Sequence, residues 1–172
     1  MRRLFIMDQK DYDNSWKRYK RPSVRGVIIN KDKKVAMVYS RKFDYYKFPG
    51  GGIENDEAHI ETLKREITEE IGLTVSVPSV AEYGSVLRIQ KSRFEENVIF
   101  EQENFYYLCD VLSDENQQSL DEYEANEGFV LEYVSPDYAI SVNRTHDHSD
   151  YDEYLIERES LVLELLVKDG IL

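Results

Sequence analysis

The stretch from Phe48 to Leu73 constrains this chain most. Phe48-Pro49-Gly50-Gly51-Gly52 cannot continue a helix or a central strand, because proline lacks an amide hydrogen and three glycines leave the backbone free. Such a loop lets backbone approach a ligand closely. Ile60, Leu63, Ile67 and Ile71 then recur at helical spacing, which predicts a helix with these four on its buried face. Asn55 or Asp56 is the expected N-cap, and Gly72 the expected C-terminal stop.

The helix carries Glu66, Glu69 and Glu70 at spacings that place their carboxylates within a few ångströms of one another. They sit at the edge of the apolar stripe, and on helix energetics alone the arrangement is unfavourable. A solvated acidic face is the ordinary reading of such a group. A hard divalent cation would relieve the repulsion, and an oxygen-only donor set suits Mg2+ or Mn2+. Arg65 adjoins them, within reach of Glu61 and Glu69 at four-residue spacing. The glutamates lie in the last turns, so this is not simply phosphate bound at a helix N-terminus.

The rest of the sequence frames that unit. Val24–Ile29 and Val35–Tyr39, joined by a polar turn, read as a hairpin. Strand-like runs return at 80–89, 98–111 and 128–134, and Ser135-Pro136 opens a helix. Residues 150–168 form an amphipathic C-terminal helix with Ile156, Leu163, Leu166 and Val167 on one face. Residues 1–20, polar and tyrosine-rich, read as an N-terminal extension, and 21–172 as one domain, in keeping with a length of 172. The strongly apolar stretch near the end, Leu161–Val167, is interrupted by Glu164 and is far too short to span a bilayer, which needs ~20 residues. The basic start Met1-Arg2-Arg3 is cut off by Asp8 before any signal-like run develops. A lone Cys109 excludes an internal disulfide and fits a reducing, cytoplasmic setting. A net charge of −12 repels duplex nucleic acid and anionic membranes, yet admits polyphosphates carried with divalent cations.

The spacing Gly51-x5-Glu57-x7-Arg65-Glu66-Ile67-x-Glu69-Glu70-x-Gly72-Leu73 resembles the Nudix box at every defined position. Phe48-Pro49-Gly50 before it and Val75 after it resemble the same family, and the likeness extends more loosely over residues 22–167. The resemblance implies an α/β (α+β) fold, a Nudix-type α/β/α sandwich around a mixed β-sheet. It also implies Mg2+- or Mn2+-dependent hydrolysis of a phosphoanhydride bond in a nucleoside diphosphate linked to a further group. Carried over by position, Glu66, Glu69 and Glu70 are metal ligands, helped by a carbonyl of the Gly50-Gly51 loop. Glu70, Glu66 and Arg65 are the expected catalytic group, while Gly51, Glu57, Gly72 and Arg65 hold the loop–helix–loop in shape. The alternative is a Nudix-fold module that binds a nucleotide without cleaving it; intact box glutamates argue against it. Many family members dimerise, so a homodimer is an open possibility.

The base that takes a proton from water is not fixed by the pattern. Glu70 is one candidate; Glu101, Glu103, Glu122, Glu124 and Glu127 are others. Arg41, Phe48, Glu101 and Glu103 are candidate substrate contacts. For Arg41, Tyr45, Tyr46 and Phe48 the competing reading is core or rim packing; for Glu101 and Glu103 it is the wet face of a strand. His146-Asp147-His148 reads as an exposed loop lacking a third metal ligand at recognisable spacing. Cys109 reads as a packing residue. Leu87-Arg88-Ile89-Gln90-Lys91 lacks the proline or tyrosine that marks family subgroups there. Nucleoside triphosphates are the favoured substrates, nucleotide sugars the next.

Overall fold

A mixed sheet built on one long strand runs through the molecule, which a computed structural model describes over residues 1–115, 117–148 and 151–172. That strand is β8 (Val98–Leu108). β7 (Ala81–Lys91) lies antiparallel to it, with Arg88 opposite Gln102 and Gln90 opposite Phe100. β1 (Arg3–Asp8) extends the β7 edge in parallel. On the other side β2 (Lys17–Lys20) and β3 (Ser23–Val27) pair in parallel with successive halves of β8. The N-terminal twenty residues thus contribute two strands to the central sheet. A second sheet has the order β10 (Phe129–Val134), β4 (Val35–Ser40), β5 (Tyr45–Lys47). A short antiparallel pair, β6 (Leu73–Val75) and β9 (Val111–Glu115), follows the first helix.

Two apolar layers flank these strands. On one side α1 (His59–Ile71) packs Leu63, Ile67 and Ile71 against Val24, Ala36, Val38 and Phe129. On the other, α3 (Pro136–Thr145) and α4 (Glu153–Lys168) pack Val142, Val162, Leu163 and Leu166 against Val27, Val35, Met37 and Tyr106. β4 alternates between the layers, Val35 and Met37 to one and Ala36 and Val38 to the other, as the two-residue period of a strand requires. This is an α/β/α arrangement. Among the described residues no helix is long and apolar enough to cross a membrane.

Several sequence expectations shift. α1 begins at His59 with Ala58 as N-cap, not at Asn55 or Asp56. Those two adopt left-handed backbone, φ 46° and 61°, and form the turn before the helix; Asn and Asp tolerate that region better than most residues. Ile60 therefore falls in the first turn and is exposed. Gly72, at φ 69°, ends α1 through its N–H to the Thr68 carbonyl. The hairpin is real only at its turn, where Asn30 N donates to Lys34 O and Ala36 N to Ile28 O. Beyond it β3 turns to β8 and β4 to β10 and β5, so the arms serve different sheets. Ser135 caps α3 by accepting from Tyr138 N. In α4, Val167 is exposed while Val162 takes its place in the core. Asp152 caps that helix, and Asp150, the start expected from sequence, lies outside the described residues.

Candidate active site

The glycine loop is laid on β3. Val24 N donates to Gly51 O at 3.0 Å, Gly26 N to Pro49 O at 2.8 Å, and Ile53 N to Pro22 O at 3.0 Å. Gly50 has φ 134°, and a Cβ there would overlap the Val24 carbonyl oxygen. A Cβ on Gly51 would overlap the Glu66 carboxylate. Two glycines thus let the loop lie between β3 and the acidic face of α1.

Glu70 is 1% exposed. Its Oε2 accepts the Gly50 N–H at 2.7 Å, and its Oε1 is paired with the buried Lys47 ammonium. Glu66 is buried beside it and accepts from Arg65 Nη1 at 2.8 Å. Burial first, then the neighbouring Glu70, push the Glu66 carboxyl up to about 7. Glu69 turns to the rim, where it meets Arg65 at 3.1 Å. No three acidic or histidine side chains among the described residues converge as a finished metal-ligand group. The donor set nevertheless suits a hard cation. Two buried carboxylates lie beside a loop that has no room for a Cβ at Gly51, and burial, then the neighbouring Glu70, raise Glu66, a cost that a cation would lessen.

Arg65 braces the unit. It donates to both oxygens of Glu57, at 3.1 and 2.9 Å, and to the Gly52 carbonyl at 3.2 Å. Its guanidinium holds Glu57 down at about 2. Glu61, the other partner expected from spacing, pairs with Lys64 instead at 3.0 Å.

A cavity of about 390 Å3 opens beside the loop. Gly50, Gly51 and Gly52, with Arg21, Arg25 and Lys47, form one wall. β7 supplies Arg88 and Gln90, β8 supplies Phe100 and Gln102, and α2 (Glu122–Glu127) supplies Tyr123 and Glu127. Arg25 Nη1 bonds the Gly50 carbonyl. Arg88 and Arg93 both pair with Asp152, at 3.1 and 3.4 Å. Arg25 Nε, Arg88 Nε and Nη1, and Gln90 Oε1 are buried without a hydrogen-bond partner. Glu127 accepts from Tyr45 Oη at 3.1 Å, and burial raises its carboxyl.

A NUDIX domain profile matches residues 19–156. The chain belongs to the Nudix hydrolase family. An RNA pyrophosphohydrolase of Halorhodospira halophila is 31% identical over 59% of this chain and 59% of its own length. One from Xylella fastidiosa is 27% identical over 85% of this chain and 80% of its own. A Nudix hydrolase structure from Nitrosomonas europaea shares the fold, with TM-score 0.56 and 20% identity over 81% of this chain and 87% of that one.

In this Nudix chain several residues singled out from sequence lie away from the cavity. Phe48 is fully buried, edge-on to Tyr106 at 5.6 Å between ring centroids. Arg41 is exposed and lies along Gly128. Glu101 and Glu103 point to the face of β8 opposite Gln102 and pair with Arg18 at 2.9 Å and Arg3 at 2.6 Å. The alternation of the strand puts Gln102 in the cavity and its two acidic neighbours outside. Glu122 is exposed, and Glu124 closes a capping box with Asp121. Among the acidic base candidates outside α1, only Glu127 lines the cavity. His146 bonds Asp44 at 2.6 Å, and the buried His148 bridges the carbonyls of Phe43 and Asn143, so both brace loops. Cys109 packs in the core. Lys47, Arg25, Arg88 and Gln90 escaped sequence reading. The only signal for the last two was a polar pair two apart in an otherwise β-like run.

Proposed function

We propose that this chain hydrolyses a phosphoanhydride bond in a nucleoside diphosphate linked to a further group, with Mg2+ or Mn2+ as cofactor. The observation that carries the reading is the pair of buried carboxylates, Glu66 and Glu70, facing a glycine loop whose cavity is lined by Arg21, Arg25 and Lys47. Glu66 and Glu70, with Glu69 and the Gly50 carbonyl as further oxygen donors, would hold a divalent cation, which would supply charge neutralisation and a more acidic water. The chain's own groups do the rest. Arg21 and Arg25 hold the phosphates, and their positive charge offsets the negative field of the protein at this spot. In the metal-free chain Lys47 neutralises the buried Glu70 carboxylate, a role that the cation would take over. Glu127, raised by burial and oriented by Tyr45, is the best-placed base to take a proton from water. Arg65 and Glu57 keep loop and helix in register.

Nucleoside triphosphates are the first class to test. The relatives named RNA pyrophosphohydrolase favour a particular form, the 5′-triphosphate end of an RNA chain, and the further cations Arg88 and Arg93 suit a longer polyanion. The test is a panel of nucleoside triphosphates, nucleotide sugars and a 5′-triphosphorylated oligoribonucleotide with Mn2+. Products should identify one broken P–O–P bond, and Glu70→Gln should lose the rate by on the order of 10^3-fold while still folding. Tight binding with no release from any compound would instead support a non-catalytic nucleotide-binding module, and an unchanged rate in Glu70→Gln would defeat the assignment.

A further inference from the structure

The glycine loop is fastened to the box by Glu70 and Arg65, and to β3 through Val24, Gly26 and Arg25. A further fastening comes from α4. Glu159 is fully buried, and its Oε2 accepts the Phe48 N–H at 3.1 Å. Its Oε1 accepts from both Nε, at 2.8 Å, and Nη2 of Arg158. Arg158 is fully buried as well, and its Nη1 donates to Asn104 Oδ1 at 2.8 Å. Asn104 in turn accepts the Ser23 hydroxyl at 2.7 Å. A continuous set of bonds therefore runs from the middle of β8 through α4 to the residue two before Gly50.

Consecutive helix residues point in different directions, so a single apolar stripe would not bury both Arg158 and Glu159. A buried ion pair is also a poor way to gain stability, because desolvation offsets the attraction. What the pair provides here is placement. We propose that Glu159 is a positioning residue: it fixes the Phe48 amide, and through it the height of Gly50, whose N–H meets Glu70 at 2.7 Å. Arg158 holds the Glu159 rotamer. The inference rests on the hydrolytic reading above for its effect on rate, not for its effect on the loop.

Two variants separate placement from mere charge balance. Glu159→Asp keeps a carboxylate for Arg158 and draws its oxygens back by one methylene. Arg158→Met with Glu159→Gln removes both charges and keeps an oxygen for the Phe48 N–H. Glu159→Asp should lower kcat by roughly 10- to 100-fold with KM within about threefold, since small misplacements of reacting groups cost that much. Phe48 amide hydrogen exchange should become fast in the same variant. The double variant should recover most of kcat and the Phe48 protection. Wild-type kcat and protection in Glu159→Asp would overturn the proposal, as would an equal loss in both variants. If the wild-type chain cleaves no P–O–P bond in any substrate, the hydrolytic reading fails, and the exchange measurement still decides whether Glu159 anchors the loop.

Discussion

Arg65 makes five hydrogen bonds inside the chain, to Glu57, Glu66, Glu69 and Gly52. Arg88, on the β7 wall of the cavity, makes one ion pair with Asp152 and leaves Nε and Nη1 buried and unpartnered beside an equally unpartnered Gln90 Oε1. Buried polar groups are nearly always satisfied, and each exception asks for a reason. The box arginine is complete without a ligand, so it sets geometry. The β7 pair is incomplete, with donors and an acceptor left over at the cavity wall.

That contrast can be broken by mutation. Arg65→Met should depress kcat by about 100-fold for every substrate alike, because a displaced loop spoils the geometry whatever is bound. Arg88→Met should raise KM by roughly tenfold, unevenly across a substrate panel, as loss of charged hydrogen bonds to one part of a ligand does. Uniform losses in Arg88→Met, or selective ones in Arg65→Met, would erase the distinction. Steady-state kinetics on the same panel decides it.

The ends of the box also differ in pH response. Glu66 rises from 4.5 to about 7 in the folded chain, so between these values the folded state binds more protons than the unfolded one. Its contribution is favourable below the ordinary value and is lost as pH rises through about 7. Glu57, held at about 2, behaves oppositely: its pairing with Arg65 contributes above the ordinary carboxylate range and is lost as pH falls through about 2. Without metal, the thermal midpoint should drop by roughly 5 °C between pH 5 and 8; Glu66→Gln should flatten that slope. A slope unchanged by the substitution would show that Glu66 does not carry it. The smallest effect belongs to the outer face of β8. Glu101→Gln and Glu103→Gln, which disrupt only partly exposed pairs with N-terminal arginines, should change kcat/KM by less than about twofold.

The same contrast marks what could be read from sequence. The loop and α1 are specified locally: three glycines, apolar residues at helical spacing and a terminal Gly72 name their own structure. α1 starts later than its pattern suggests, because Asn55 and Asp56 suit a left-handed turn as well as a cap. β2 was invisible, because Lys17-Arg18-Tyr19-Lys20 has no apolar alternation and becomes a strand only by pairing with β8. Glu101 and Glu103 were plausible site residues until the sheet fixed which face of β8 meets the cavity. Arg88 and Gln90 depend on the same tertiary choice, and the Arg158–Glu159 pair adds a buried polar contact to α4 beside Ile156, Leu163 and Leu166, which are buried as their spacing predicts.

If the Glu66–Glu70 face of α1 lodges a divalent cation against the glycine loop, anomalous diffraction from crystals soaked in Mn2+ should show a peak bonded to Glu66 and Glu70 oxygens, with Lys47 drawn away from Glu70. Manganese bound elsewhere, with the Lys47–Glu70 pair intact and no ion at the loop, would rule this site out.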